Sequence, residues 1–213
     1  YDPKDYICKR LHAKSNDSVP IPVTVLHHKD TPIDSSSPML LYGYGAYGYS
    51  MPATFNANLI SLIDRGFIYA IAHVRGGSEC GKEWHANGKL QNKTNTFKDF
   101  ISAAEMLISK NYSASGKVIA QGRSAGGMLM GAVANMRPDL FNGIIAEVPF
   151  VDVMNTMSDE SLPLTPPEWV EWGNPINDEE AFKNMLSYCP YSNIADLPYP
   201  NILATGGLTD PRV

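Results

Sequence analysis

Apolar and polar positions alternate along this chain in two rhythms, one of period two and one of helical spacing. Two β-rich runs come first, "DYICKRLHA" (residues 5–13) and "PIPVTVLHH" (residues 20–28). Turn chemistry at Asn16-Asp17-Ser18 lies between them, which predicts a hairpin. After a polar Pro/Ser loop, "MLLYGYG" (39–45) is a short apolar run that breaks into glycines, the pattern of a buried strand ending in a loop. "NANLISLIDRG" (56–66) carries Leu59, Ile60, Leu62 and Ile63 on one helical face and stops at Gly66. "FIYAIAHV" (67–74) is the next buried strand, and residues 75–95 form a long Gly-rich loop. A helix follows over 96–111, with Thr96 as its cap and Phe100, Ala103, Ala104 and Leu107 on its apolar face. "KVIAQG" (117–122) is a strand, and "SAGGMLMGAVANM" (124–136) is a helix apolar nearly all round and therefore buried. Another strand is expected over 143–148, an irregular stretch over 150–178, a helix over 178–189 and a last strand at "PNILATG" (200–206).

Strands alternating with helices imply βαβ units: an α/β fold, its mostly parallel sheet covered by helices on both faces. The hairpin adds antiparallel strands at one edge. No internal repeat or second domain interrupts the pattern, so residues 1–213 read as one α/β domain. The chain opens on Tyr1 and closes on "LTDPRV", a poor place to stop a domain, so a C-terminally incomplete part of something longer is expected.

Composition narrows the function classes. Apolar residues make up 44% of 213, enough for a sizeable core. The formal charge is −5 and no Lys/Arg-rich run occurs, so nothing points to nucleic acid as a partner. The apolar runs are too short to span a bilayer and no secretory signal opens the chain, so no membrane partner is expected. Three cysteines, Cys8, Cys80 and Cys189, lie far apart with no CxxC pair. They read as free thiols of a reducing, cytoplasmic compartment, without a metal or cofactor site. Oligomeric state is not legible.

Chemistry enters at "GRSAG", residues 122–126, which fits G-x-S-x-G. It follows a strand and opens a buried helix, the context of a nucleophile elbow, where both glycines clear space for a serine on a strained corner. A Gly-rich turn with Ser124 as an ordinary helix cap fits the motif equally well. A serine nucleophile needs a general base, commonly a histidine held by a carboxylate, and in this sheet type the order is Ser, acid, His. Asp210, just past the last strand, suits the acid, although "TDP" is also good turn sequence. All five histidines precede Ser124. His12, His27 and His28 belong to the edge hairpin and are expected at the surface; His73 ends a strand and His85 lies in the long loop. The base is therefore expected beyond Val213, and the 213 residues alone are expected to be inactive.

Several segments together resemble the prolyl oligopeptidase family of serine peptidases, and most of all its oligopeptidase B branch. They are "LLYGYGAYGYS", "LIDRGFIYAIAHVRGGSECGKEWHANGK", "TNTFKDF", "GRSAGGMLMGAVANMRPDLFNGIIAEVPFVDV" and "EWGNP", in the family's order over roughly residues 38–213. The resemblance implies an α/β-hydrolase fold and hydrolysis of short peptides through an acyl-enzyme on Ser124. It implies Asp210 as the acid, with the Ala125 N–H and the Tyr44 hydroxyl as the oxyanion hole. Arg212 would hold a substrate carbonyl and Glu168 the basic side chain of Arg or Lys, with Tyr47 among the substrate-binding residues. Read without the family, Glu168 and Glu171 are solvated loop acids, Tyr44 a strand-end aromatic and Arg212 a surface cation. Departures from the family pattern are Val170, where some relatives carry an acid, and Pro52 and Thr54, where aspartates help bind a second basic residue. The family's N-terminal β-propeller is not in this sequence. An esterase of the same fold, or an inactive fragment without its histidine, are the competing readings.

Overall fold

The structure is a computed structural model that describes residues 2–210. Strands β1 (Tyr6–Lys14) and β2 (Pro20–His28) form the expected antiparallel hairpin, followed by β3 (Met39–Tyr42), helix α1 (Ala57–Ile63) and β4 (Ile68–Ala72). Short helix α2 (Lys82–Ala86) precedes α3 (Thr94–Ser109), β5 (Val118–Arg123), α4 (Ala125–Met136) and β6 (Phe141–Glu147). Helices α5 (Val153–Met157), α6 (Thr165–Trp172) and α7 (Glu179–Tyr188) lead to β7 (Asn201–Thr205).

The described strands make one seven-stranded sheet in the order β1-β2-β4-β3-β5-β6-β7, parallel from β4 through β7 and antiparallel at β1–β2 and β2–β4. From β3 the chain crosses to β4 on one side, and from β5 to β6 on the other. Right-handed crossovers running in opposite directions place their helices on opposite faces, so α1 covers one face and α4 the other. Helix α3 packs beside α4, and the core between them and the sheet holds Met39, Leu41, Val118, Ala120, Met128, Leu129, Phe97 and Phe100. Strand β7 is exposed along its length, with Ile202 and Leu203 open to solvent. No helix of the described residues is long and apolar enough to cross a membrane.

Five local expectations change. The Gly-rich stretch contains α2, and residues 150–178 contain α5 and α6. Helix α3 begins at Thr94; Thr96 is buried within its first turn, its hydroxyl donating to Arg75 O at 2.7 Å instead of capping. Strand β6 begins at Phe141 and ends at Glu147. His27 is buried rather than at the surface, because the hairpin's outer strand is β1 and β2 lies between β1 and β4. Its Nδ1 lies 2.9 Å from His28 O, and its ring meets Tyr112 edge-on.

Candidate active site

The connections leaving β3 and β5 diverge, which opens a crevice at the carboxyl ends of these neighbouring strands, the place where open α/β sheets build their sites. Tyr44 follows β3 and Ser124 follows β5 into that crevice.

Ser124 has φ 55° and ψ −115°, a conformation L-residues rarely hold, and it caps α4 without a side-chain hydrogen bond to the helix. Neighbours fix it from every side. Its N–H donates to Glu147 O at 2.8 Å, and its carbonyl accepts from Gly127 N at 2.8 Å, Met128 N at 3.1 Å and Phe150 N at 3.2 Å. A Cβ at Gly122 would lie 2.2 Å from Gly126 O, and one at Gly126 would lie 2.7 Å from Gly43 O. Both glycines are therefore required by backbone packing, the room that a nucleophile elbow needs. The same close approach joins the end of β3 to the start of α4 and so brings Tyr44 beside Ser124. Gly122→Ala is expected to lower stability by about 1–3 kcal/mol, since only backbone surrounds the added methyl. A urea midpoint equal to wild type would contradict that.

Ser124, Tyr44, Asp210, Tyr47 and Glu168 line one cleft of about 810 Å³, with Arg123, Phe150 and residues of α5 and α6 as further walls. Ala125 is buried at the first turn of α4, where N–H groups have no partner within the helix. Arg212 lies outside the described residues. None of the five histidines lines the cleft. His73 Nε2 is 2.8 Å from Thr24 Oγ1, and His85, on α2 rather than in a loop, has Nε2 2.7 Å from Glu171 Oε2.

Glu168 and Glu171 are one helical turn apart on α6, not in a loop, and neither is simply solvated. Pro166 and Pro167 open that helix, and Trp169 Nε1 and Thr165 Oγ1 tie it to carbonyls of α5 and its edge, Met157 O and Thr156 O. Glu171 is 3% exposed; besides His85 it accepts from Tyr47 N at 2.7 Å. That bond holds Tyr47 at φ 57°. The Tyr47 hydroxyl donates to Glu168 Oε2 at 2.6 Å, and Trp172 Nε1 donates to the same oxygen at 2.8 Å. No hydrogen bond from the described residues reaches Glu168 Oε1. Burial and the adjoining Glu168 carboxylate push the Tyr47 phenol well above its ordinary range, so it stays a donor.

Behind this wall Lys93 is fully buried, its Nζ 2.5 Å from Gly45 O, 3.1 Å from Gly88 O and 5.2 Å from the Trp172 ring centre. Burial pulls its ammonium down to about 7, with the Glu171 charge opposing. Nothing in the local sequence marks Lys93: a lysine amid "LQNKTN" reads as a solvated side chain. Arg123, by contrast, could have been found as the variable position before the serine in the motif.

The sequence model of the "Prolyl oligopeptidase family" matches residues 53–213. The chain belongs to the prolyl oligopeptidase family. Among its relatives, dipeptidyl aminopeptidase BI of Pseudoxanthomonas mexicana is 46% identical and protease 2 of Moraxella lacunata 45% identical, each over the whole of this chain. This chain covers 30% and 31% of those two proteins. The structure of oligopeptidase B from Leishmania major superposes with a TM-score of 0.97 at 50% identity, over all of this chain and 30% of that one. The fold is thus that of the α/β-hydrolase domain of prolyl oligopeptidases.

Proposed function

We propose that this chain carries the nucleophile and the specificity pocket of a serine peptidase that cleaves short peptides after Arg or Lys. One observation carries the reading: the strained Ser124 elbow shares a cleft with Tyr44, Asp210 and Glu168. Ser124 Oγ attacks the scissile carbonyl carbon while a histidine outside the described residues takes the hydroxyl proton, and Asp210 orients that imidazole. The Ala125 N–H and the Tyr44 hydroxyl receive the charge that develops on the carbonyl oxygen. The C–N bond then breaks, the amine leaves with the proton, and water releases the acyl group from Ser124. Glu168 receives the basic side chain ahead of the cleaved bond, Tyr47 holds Glu168 in place, and Arg212 binds a substrate carbonyl. No cofactor takes part.

The Glu168 geometry sharpens the pocket. Oε2 already accepts two donors, so a guanidinium or ammonium meets Oε1 as a single point rather than as a fork. Arg and Lys should therefore be accepted with little discrimination.

The test uses the intact protein with amino-blocked Arg, Lys and Phe amides and with a fluorophosphonate probe. Hydrolysis of the Arg and Lys amides, with the probe on Ser124, is expected. Turnover of esters alone would replace this reading with an esterase. Turnover only of dipeptidyl amides with a free amine would give an aminopeptidase instead.

A further inference from the structure

Among the described residues, Arg75 and Lys93 are both buried, and they are held differently. Arg75 has carboxylate partners in Asp99 and Asp17. Lys93 is 1% exposed, and no carboxylate of the described residues lies within ion-pair distance of it; its donors go to two backbone carbonyls, and an indole face lies close by. An ammonium without a counter-ion is costly to bury, and a methionine would fill the space with no such cost. What the ammonium adds is a cross-link.

The partners show what is linked. Gly45 directly follows Tyr44, and Gly88 lies on the loop after α2. Gly45, Gly76 and Gly88 approach so closely that a Cβ at Gly76 would sit 2.0 Å from Gly45 O, and one at Gly88 2.0 Å from Gly76 N. Lys93 Nζ grips the carbonyls at the two ends of this stack. Trp172, close to the ammonium, is the residue whose indole N–H holds Glu168 Oε2, and its ring also meets Tyr47 edge-on at 5.5 Å. A single buried amine thus touches the supports of both the tyrosine and the acid of the cleft.

We infer that Lys93 is a positioning residue: its ammonium clamps the Tyr44 loop to the Gly88 loop and backs the indole that holds Glu168. The consequence for turnover rests on the peptidase reading above; the clamp itself does not.

The experiment compares wild type, K93M, K93Q and K93R in the intact protein, by amide hydrogen exchange and by steady-state kinetics. In folded K93M or K93Q, exchange in residues 44–49 should rise about tenfold or more while β3, β5 and β6 stay as protected as in wild type. K93R keeps donors for both carbonyls and should retain most of the protection. With blocked Arg and Phe amides, K93M should lower kcat for both, about ten- to hundredfold. In a Y44F background the same change should lower kcat by less than about twofold, because the donor it positions is gone. Wild-type exchange in residues 44–49 of a folded K93M or K93Q, or K93R as unprotected as K93M, overturns the clamp. So does an equal kcat loss with and without the Tyr44 hydroxyl. If loop exchange rises but wild type turns over none of these amides, the clamp stands and the peptidase reading fails.

Discussion

Ser124→Ala in the intact protein is expected to abolish peptide hydrolysis, by roughly 10⁴–10⁶-fold in kcat, with no matching loss of stability. The magnitude follows from the role: without Oγ no acyl-enzyme forms, and only oxyanion stabilisation and substrate binding remain. The unchanged stability follows from the structure. Ser124 Oγ makes no hydrogen bond with the described residues, so no protein partner is stranded. Alanine meets the same backbone conformation at φ 55° as serine does, so the strain of the elbow is carried over. The denaturation midpoint should shift by no more than about 0.5 kcal/mol equivalent. Activity within tenfold of wild type would remove Ser124 as nucleophile. A large stability loss would mean that the serine is the structural cap its motif also permits.

Glu168→Gln should act selectively. It is expected to cost Arg and Lys substrates about 2–5 kcal/mol in kcat/KM and to leave Phe substrates nearly unaffected. The reason is local. Tyr47 Oη–H and Trp172 Nε1–H both donate to Oε2, so the amide oxygen of glutamine must take that place. Its NH₂ then stands where Oε1 stood, and presents two donors to a cationic side chain that brings only donors. Both the lost charge and the reversed polarity oppose binding, whereas an apolar side chain meets neither. Competition kinetics with paired Arg and Phe substrates measures this directly. An equal loss for both would place Glu168 in the scaffold rather than in the pocket.

These two residues also mark how far the sequence could be read. The sheet and its hairpin edge were legible as short apolar runs bounded by turn residues, and the long helices α3 and α4 because burial imposes a period on 16 and 12 consecutive residues. Helices α5 and α6 were not: five and eight residues carry too little period to register. Their signals were caps instead, Asp152 before α5 and the Pro166-Pro167 pair at the start of α6, and these would have turned two loop acids into two residues of one helical turn. Helix α2 lacks even that, since Gly81 offers no side-chain cap.

Within the site, the sequence alone determined the strand–turn–helix around Ser124, while leaving an elbow and a plain capped turn both open, because that pattern is local. It also placed Tyr44 and Asp210 at strand ends, where such sheets collect functional groups. Which of these meet, and through what, was decided by the tertiary structure. Glu171 fixes a backbone turn 124 residues away, Tyr47 and Trp172 together claim one oxygen of Glu168, and Lys93 ties two loops through carbonyls that every residue possesses. Backbone acceptors and long-range pairs leave no pattern in composition or spacing. They come into being only when the sheet has brought the ends of β3 and β5 together and α6 has closed over them.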